Sequence, residues 1–465
     1  MDEEEADLPF GPAHAGRGLA RVALGLAAAF LAGSSEAAGL RERGRQALGR
    51  DWPWLPSLAL RIHFAFGSEF SPDRLEDLQS LILGDPGFAK ALADPDGGPR
   101  IRAWFPLHPQ MASPVVPGLQ ALPQLATLDQ LADLLELSVD DLDWFADPQA
   151  WRAPKPDSPI ARYRYHWRRK RDGGLRLIEA PKPRLRRLQR RILHGLLDPV
   201  PVQPAAMGCV RGRGVIDHAG LHAGQPRLVK LDLRDFYPGI RASRIHALFR
   251  SLGYPTKVAR YLTGLTTHCS PPRILRALPY GEYDSPEQRM RTRRRAVSLC
   301  DRHLPQGAPS SPALANLCAY RLDLRLAGAA RACGARYSRY VDDLCFSGAF
   351  DAAQGHRILA MIDDIVREEG FEPNWRKAAV VGAGAAQRLT GLTVNRHPNL
   401  PRAEYDRLKA ILTNCQRHGP SSQNKGNHRD FRAHLQGRVA WACAVNPARG
   451  EKLRSLFDRI DWRQG

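Results

Sequence analysis

The chain has 465 residues, of which 43% are hydrophobic, enough for two to four domains of about 100–200 residues with buried cores. It carries 68 Lys and Arg against 48 Asp and Glu, a formal net charge of +20, which is typical of a protein that binds a polyanion. Its eight cysteines are scattered without a Cys-x-x-Cys pair, which argues against a disulfide framework or a zinc module. We therefore expect a globular, reduced, cytoplasmic protein.

The positive charge is unevenly distributed along the chain. Residues 1–150 contain 11 Lys and Arg against 22 Asp and Glu, whereas the remaining residues contain 57 against 26. This division predicts an acidic N-terminal region followed by a basic body that binds the polyanion.

Residues 1–125 form an N-terminal extension whose role the sequence does not reveal. Its most apolar run, from Val22 to Ala32, is about 11 residues long, whereas a bilayer requires about 20. The residues that precede it are acidic, where a secretory signal would be basic. We therefore expect a packing helix and no membrane association. The frequent Pro and Gly between positions 94 and 123 are typical of a linker or of an irregular packing segment.

Two short helices are predicted at the start of the next region. Leucines recur at helical spacing from Leu128 to Leu137, and a second apolar face follows Ser138, which is a suitable N-cap. Because few basic residues lie here, a packing pair of helices is the favoured interpretation. A helix-turn-helix nucleic-acid reader is the alternative.

A cationic β-hairpin follows. Residues between Tyr163 and Pro181 alternate around the turn Asp172-Gly173-Gly174, and a basic helix is predicted from Pro183 to Leu197. Aromatic and cationic residues interleave in the hairpin. This pattern indicates either nucleic-acid or phosphate contact or an ordinary solvated face.

Two acidic segments carry the candidate chemistry. A β-rich run ends at Asp232, and the adjacent acids Asp342 and Asp343 interrupt a second apolar stretch. If that stretch is a hairpin, its tight turn presents both acids to a neighbouring strand that ends in Asp232. Three converging carboxylates repel one another unless divalent cations neutralise them, and Mg²⁺ prefers oxygen ligands. An exposed Asp-Asp turn is the alternative interpretation.

A stiff loop lies between these segments. It reads Leu-Pro-Gln-Gly-Ala-Pro-Ser-Ser-Pro over residues 304–312 and runs into a helix. The order of Asp232, this loop and Tyr340-Val341-Asp342-Asp343 resembles the palm of a reverse transcriptase, over a region from Ala126 to the C-terminus. The resemblance implies an α+β right-hand polymerase preceded by the helical extension. The implied parts are fingers at 126–230, palm at 231–397 and a helical thumb at 398–465.

The same resemblance implies roles for residues of the acidic site. Asp232, Asp342 and Asp343 match the catalytic and metal-binding aspartates, and Leu233 is included among the metal-binding positions. Lys377 matches a lysine proposed as the general acid for pyrophosphate. Two Mg²⁺ ions are the expected cofactors, with Mn²⁺ as an acceptable substitute.

Nucleotide-binding positions follow from the resemblance as well. Tyr237 matches the aromatic residue that crowds the sugar 2′-position and selects deoxynucleotides. Gln306 and Gly307 match the loop against the incoming nucleotide and template. Lys170 and Arg176 resemble cations of the fingers that hold the triphosphate.

Two further segments resemble the retron family of reverse transcriptases. The sequence His218-Ala-Gly-Leu-His222 resembles the family's Asn-Ala-x-x-His signature, with His in place of Asn. Leu389-Thr390-Gly391 resembles its Val-Thr-Gly motif, with Leu in place of Val. The resemblance makes His218, His222, Thr390 and Gly391 candidate RNA-binding residues.

Two basic regions are also expected to face RNA. Residues 269–303 form an Arg-rich insertion in the palm. In the thumb, Arg429, Arg432 and Arg438 are expected on the side opposite the apolar residues, where they would contact a duplex backbone. Simple bundle packing with a solvated face is the alternative.

The resemblance to retrons implies RNA-templated DNA synthesis on a structured noncoding RNA, primed by a 2′-hydroxyl and giving branched RNA-linked single-stranded DNA (msDNA). The implied partners are that RNA, its DNA product, dNTPs and a toxin or effector protein in antiphage defence. The alternatives are a group II intron-like or phage-exclusion reverse transcriptase with another template or primer, and a catalytically silent RNA-binding scaffold.

Overall fold

A computed structural model describes residues 16–67, 70, 72–93, 97–105, 111, 122–148, 162–170, 175–276 and 285–463. The chain divides into two compact units, one made of residues 1–148 and 249–263 and the other of 149–248 and 264–465. None of the helices in the described ranges has the length and apolarity that a membrane span requires.

The first unit contains a core of packed helices. They are α1 (Gly16–Leu31), α2 (Ala37–Leu48), α3 (Leu55–Phe66), α4 (Leu75–Leu83) and α5 (Pro86–Leu92). Leu26 and Phe30 of α1 pack with Leu58 and Ile62 of α3, all fully buried. The apolar run near the N-terminus is therefore a packing helix, as predicted. Most of the predicted linker at 94–123 lies outside the described residues.

The first unit continues beyond the predicted boundary at residue 125. The helices α6 (Leu128–Leu135) and α7 (Val139–Ala146) begin at side-chain caps from Thr127 and Ser138. Leu131, Leu135 and Leu142 are buried, which favours the packing interpretation. Tyr261 donates a hydrogen bond of 2.9 Å to Asp143. This bond joins residues 249–263 to α7. Both α6 and α7 belong to the first unit, whereas the prediction placed them in the fingers.

The second unit begins with the predicted hairpin. Strands β1 (Tyr163–Arg169) and β2 (Leu175–Pro181) are antiparallel, and the turn at residues 171–174 lies outside the described residues. The basic helix α8 (Pro183–Ile192) follows and ends in a π-helical turn at Leu193–Leu197.

A four-stranded antiparallel sheet forms the centre of the second unit. Its order is β4-β5-β3-β6, with β3 at Arg227–Arg234, β4 at Arg336–Tyr340, β5 at Asp343–Gly348 and β6 at Glu372–Gly382. Helices of this unit before and between the strands are α9 (Val215–Leu221), α10 (Phe236–Gly239), α15 (Ser311–Cys318), α16 (Tyr320–Ala332) and α17 (Ala352–Glu368). Between β3 and β4, α11 (Ala242–Ser251) ends in the first unit and α12 (Thr256–Thr266) lies mostly within it. The antiparallel sheet and the separate helices match the α+β expectation.

The Arg-rich insertion belongs to this unit, and its two ends meet at one point. The main chains of His268 and His303 exchange hydrogen bonds of 2.8 and 2.9 Å, which closes the base of residues 269–302. Within this excursion lie α13 (Pro272–Arg276) and α14 (Pro286–Ser298). Residues 277–284 and the side chains of Arg291, Arg294 and Arg295 lie outside the described part.

The C-terminal region is helical, as predicted. A small hairpin of β7 (Arg388–Leu389) and β8 (Leu392–Thr393) precedes α18 (Arg402–His418), α19 (Phe431–Val445) and α20 (Pro447–Asp458). Leu408, Leu412, Leu435 and Leu453 are buried together between these helices. The predicted polar break between α18 and α19 contains a 3₁₀ turn at Pro420–Gln423.

Candidate active site

The structure brings the predicted acidic residues together at one end of the central sheet. Asp232 of β3 pairs in register with Asp343, the first residue of β5. The main-chain N–H of Leu233 donates a 2.8 Å hydrogen bond to the carbonyl oxygen of Asp342. Asp342 itself occupies the two-residue turn between β4 and β5, as the sequence predicts.

The carboxylates of this site repel one another. Burial, then the charge of Asp232, raises the pKa of Asp342. Burial, then the charges of Asp342 and Asp232, raises the pKa of Asp343 to about 7. Burial and the neighbouring carboxylates therefore both oppose ionisation of these two partly buried carboxyls.

Asp232 is the carboxylate that the protein does neutralise. Lys377 on β6 donates to its Oδ1 at 2.7 Å, and Asn374 donates to its Oδ2 at 2.8 Å. Although partial burial opposes it, the hydrogen bond and charge of Asp232 raise the pKa of the Lys377 ammonium. Lys377 remains about half exposed, so it reaches both the site and solvent. Asn374 was not predicted, and only the pairing of β3 with β6 reveals it.

The donor set suits a hard divalent cation. Two carboxyls with raised pKa values, and a third paired with the half-exposed ammonium of Lys377, supply oxygen ligands. Leu233 has an apolar side chain, so only its carbonyl oxygen can serve as a ligand. Although the three acids lie close together, no group of three His, Cys, Asp or Glu side chains in the described part of the chain is arranged to hold a metal ion by itself, so further ligands would come from substrate or water.

The turn that carries Asp342 is strained. Val341 has φ 59°, which is costly for a β-branched residue. Arg339 donates to the carbonyl oxygen of Val341 at 2.9 Å. A Cβ on Gly208 would lie 2.6 Å from the Val341 nitrogen, so glycine is required at position 208 for this close approach.

A buried ion pair holds Arg339 in place. Its guanidinium donates to both carboxylate oxygens of Asp323, at 2.9 and 2.6 Å, and to Asn316 at 3.0 Å. Asn316 in turn donates to the carbonyl oxygen of Gly208. Arg339 and Asp323 are both 0% exposed. Sequence reasoning missed this support because buried charged partners 16 residues apart give no local signal.

Tyr237 and Arg176 lie near the carboxylates. Burial, then nearby Cys209 and Asp342, raises the pKa of the Tyr237 hydroxyl, while Arg176 opposes this shift. Arg176 also acts to lower the pKa of Asp342. Its Nε is buried without a hydrogen-bond partner. Lys170 directly follows β1, and the adjoining turn lies outside the described residues.

The loop before α15 packs against the hairpin. The main-chain N–H of Glu179 on β2 donates to the carbonyl oxygen of Gln306 at 2.9 Å. Gly307 has φ 135°, and a Cβ there would lie 2.9 Å from the carbonyl oxygen of Glu179. Both observations require glycine at position 307 and place Gln306 and Gly307 beside the strand that carries Arg176.

His218 and His222 correct a prediction. Both are 0% exposed, so they cannot contact RNA in this structure. His222 contacts the hydroxyls of Ser338 on β4 and Ser347 on β5, each at 2.7 Å, and His218 contacts Ser338 at 2.9 Å. The signature therefore supports the interior of the β4–β5 hairpin, where imidazoles satisfy buried hydroxyls.

Thr390 and Gly391 form the two-residue turn of the β7–β8 hairpin. Their φ values are 47° and 88°, as a type I′ turn requires. Gly391 is exposed, and the Thr390 hydroxyl is buried without a hydrogen-bond partner. This turn remains a candidate RNA contact.

The three thumb arginines do not share one face, contrary to the prediction. Arg432 and Arg438 lie six positions apart on α19, about 120° around its axis, and Arg429 precedes the helix. Arg432 lies over the ring of Trp462 at 5.7 Å. Arg438 instead shares a face with His434 and Trp441. With residues of α18, these three line a groove of about 310 Å³.

The fold and this site define a nucleic-acid polymerase of the reverse transcriptase class. The family model described as "Reverse transcriptase (RNA-dependent DNA polymerase)" matches residues 168–395. The retron Mx65 reverse transcriptase of Myxococcus xanthus is 41% identical over 285 residues, covering 61% of this chain and 61% of that protein. The retron Mx162 reverse transcriptase of the same organism is 31% identical over 358 residues, covering 73% and 68%.

The chain belongs to the retron reverse transcriptases. The retron Ec86 reverse transcriptase of Escherichia coli is a further relative, 26% identical over 63% of this chain and 78% of that protein. The predicted enzyme class, RNA-directed DNA polymerase, is therefore confirmed at the level of the family, and this family depends on divalent metal ions. A foamy viral protease-reverse transcriptase aligns with a TM-score of 0.34 and 14% identity over 83% of this chain and 52% of that one.

Proposed function

We propose that this chain is an RNA-directed DNA polymerase that makes branched, RNA-linked single-stranded DNA on a structured noncoding RNA. The observation that carries the proposal is the meeting of Asp232, Asp342 and Asp343 at one end of the central sheet, in a chain of the retron family. A scaffold that only binds RNA has no use for adjacent carboxyls whose pKa values are raised by burial and by one another's charge.

The site residues divide into metal-binding and proton-transferring roles. Asp232, Asp342, Asp343 and the carbonyl oxygen of Leu233 would hold Mg²⁺, with Mn²⁺ as a substitute. When bound, these cations would supply activation of the attacking hydroxyl and stabilisation of the leaving pyrophosphate. Lys377, whose ammonium is held 2.7 Å from Asp232, would donate a proton to that pyrophosphate.

Four other residues would bind the incoming nucleotide. Arg176 is half-buried on β2 and close enough to Asp342 to lower the pKa of that carboxyl, so its guanidinium would bind a triphosphate oxygen, and Lys170 would add a second cation. The ring of Tyr237 would occupy the space of a ribose 2′-hydroxyl. Tyr237 lies close enough to Asp342 for this carboxylate to contribute, after burial and Cys209, to the raised pKa of the tyrosine hydroxyl. Gln306 would contact the nucleotide with its loop, where Gly307 keeps the main chain close to β2.

In polymerase terms, we assign β1, β2 and α8 to the fingers, the central sheet to the palm and the helices α18–α20 to the thumb. The thumb groove combines Trp441, His434 and Arg438 on one face of α19. Aromatic faces stack on unpaired bases, and a guanidinium pairs with phosphate. Arg438, Thr390 and Gly391, together with the Arg-rich excursion, are therefore the RNA contacts that we favour.

The proposed partners are a cognate noncoding RNA, dNTPs and the DNA product, together with a toxin or effector protein in cytoplasmic antiphage defence. The strongly basic composition of residues 151–465 supports the nucleic-acid partners. The defence role rests on membership of the retron family alone.

The test is to express the protein with its neighbouring noncoding RNA and to analyse the DNA that copurifies. We expect short single-stranded DNA whose 5′ end is covalently joined to RNA. Ribonuclease should shorten this product without destroying it, and a debranching enzyme should release a free 5′ phosphate. Linear products with ordinary primer ends would support the intron-like alternative, and absence of dNTP incorporation would support the scaffold.

A further inference from the structure

Glu179 lies on β2, next to the loop of residues 304–312 (the nucleotide loop), and is not part of that loop. Side chains of β2 alternate between two faces: Arg176 and Ile178 are half-buried, whereas Leu177 and Glu179 are buried on the opposite face. The main chain of Glu179 holds Gln306 through the 2.9 Å hydrogen bond, while its side chain points away from the loop surface that would meet a nucleotide.

The Glu179 carboxyl is fully satisfied within the protein. Ser270 donates its hydroxyl to Oε1, and His303 Nε2 lies 3.0 Å from Oε2. His303 Nδ1 is 2.7 Å from the carbonyl oxygen of Asp301, which can only accept, so Nδ1 carries a proton. The carboxyl and the imidazole are 1% and 0% exposed. A carboxyl so deeply buried is tolerated only with these partners.

These contacts join three segments of the chain. Ser270 stands at the start of the Arg-rich excursion and His303 at its return, where the His268–His303 bridge closes its base. Leu304 begins the nucleotide loop immediately afterwards, and its N–H is held by the carbonyl oxygen of Ile240 at 3.0 Å. The Glu179 side chain therefore fixes the point from which the loop departs, and its main chain fixes the loop two residues later.

We propose that Glu179 is a positioning residue for the incoming nucleotide. Through Ser270 and His303 its side chain sets the placement of the main chain at residues 304–307, and so the placement of Gln306 and Gly307. This inference rests on the proposed DNA synthesis, because it assigns a role in nucleotide binding to that site. Small displacements of a positioning contact reduce productive binding strongly.

The kinetic test compares variants in extension of a DNA primer annealed to an RNA template. Glu179→Ala should raise the KM for dNTP about tenfold or more, change kcat by less than about threefold and leave RNA affinity unchanged. Glu179→Gln should stay close to wild type, because its amide has the size of the carboxyl and can hydrogen-bond to both Ser270 and the His303 imidazole. Ser270→Ala, which removes one contact, should raise KM by a smaller factor.

Gln189 provides the matched control. It is also 0% exposed, and its amide donates to Tyr163 and to the carbonyl oxygen of Leu265 at 3.0 and 2.9 Å, neither of which belongs to residues 303–307. Gln189→Ala should lower the melting temperature without raising KM. An unchanged KM in Glu179→Ala, or an equal rise in Gln189→Ala, would overturn the proposal.

A second measurement tests the positioning role of Glu179 independently of DNA synthesis. Hydrogen exchange in the protein alone should accelerate over residues 300–310 in Glu179→Ala and not in Gln189→Ala, whether or not DNA is made. Equal protection of this segment in wild type and Glu179→Ala would refute the positioning role. A wild-type protein that incorporates no dNTP would refute DNA synthesis instead.

Discussion

A substitution at Asp342 should impair DNA synthesis without impairing RNA binding. This residue lies in the strained β4–β5 turn, and burial and Asp232 raise its pKa. Asp342→Asn keeps the shape but removes one charge that the site offers to divalent cations. We expect dNTP incorporation to fall at least about 100-fold, with RNA affinity measured by filter binding unchanged.

The control comes from a second Asp-Asp pair in the same unit. Asp364 follows Asp363 on α17 and is exposed, so Asp364→Asn removes the same charge away from the site. It should leave incorporation intact. Near-normal incorporation by Asp342→Asn would contradict the metal-binding assignment.

Tyr237 tests selection of the sugar. Its half-buried ring lies beside the carboxylates, and a smaller side chain would leave space for a 2′-hydroxyl. Tyr237→Ala should raise the ratio of rNTP to dNTP incorporation about tenfold or more, since a steric exclusion is lost. Tyr237→Phe keeps the ring and should keep the ratio. Equal ratios in wild type and Tyr237→Ala would contradict a steric role.

At the scale of elements, the β4–β5 hairpin is held by buried polar contacts on both strands. Ser338 and Ser347 contact His222, while Arg339 and Asp323 hold the adjoining turn. We therefore expect loss of His222 to lower extension of an annealed primer and self-primed synthesis by the same factor, because both reactions use this hairpin.

His222 also makes stability depend on pH. Burial, then the charges of His218 and Arg336, lowers its pKa to about 3, against about 6.5 in an unfolded chain. Below pH 6.5 His222 is protonated in the unfolded state but stays neutral in the folded state. Its contribution to the free energy of unfolding is therefore complete above pH 6.5 and is lost as pH falls. The loss is at most about 1.4 kcal/mol per pH unit for one such group.

His222→Gln should reduce this dependence. The variant should be less stable than wild type by about 1–3 kcal/mol at pH 7.5, because buried hydroxyls lose a partner. Its free energy of unfolding in urea should then fall less steeply between pH 6.5 and 5. His218, whose pKa burial lowers to about 4, retains part of the slope. His356→Gln on the exposed side of α17 should leave the wild-type slope, and parallel curves for His222→Gln would disprove the account.

At the scale of the whole molecule, the division of charge should govern RNA affinity. Residues 151–465 hold the basic excess, so log affinity should fall steeply with log salt concentration, by about 0.7–0.9 for each phosphate contact. Arg438→Gln in the thumb groove should make that slope shallower by about one contact. Glu76→Gln, on an exposed position of the acidic unit, should leave both affinity and slope unchanged.

Because the first unit is discontinuous in sequence, the salt dependence is tested with point substitutions and not with a deletion. This unit includes α6, α7 and residues 249–263, so deletion of residues 1–125 would remove part of its helical core and expose the rest. Single charge substitutions avoid that damage. An unchanged salt slope in Arg438→Gln would show that the groove does not contact a phosphate.

The sequence by itself determined the features that neighbouring residues encode. Alternation predicted the β1–β2 hairpin, helical spacing predicted α6, α7 and the C-terminal helices, and the order of acidic motifs predicted the site and its enzyme class. The site could be predicted because a strand that carries Asp232 and pairs beside a two-residue turn brings Asp342 and Asp343 to the same edge of the sheet.

Only the tertiary structure decided which polar residues support that site from within. His218 and His222 resembled an RNA-binding signature, yet they are buried beneath the hairpin. Glu179 and His303 meet across 124 positions, and Arg339 and Asp323 lie in the interior where the sequence shows only ordinary charged residues. The physical reason is that the free energy of a buried polar group depends on partners supplied by distant segments, and no local pattern records which segments will meet.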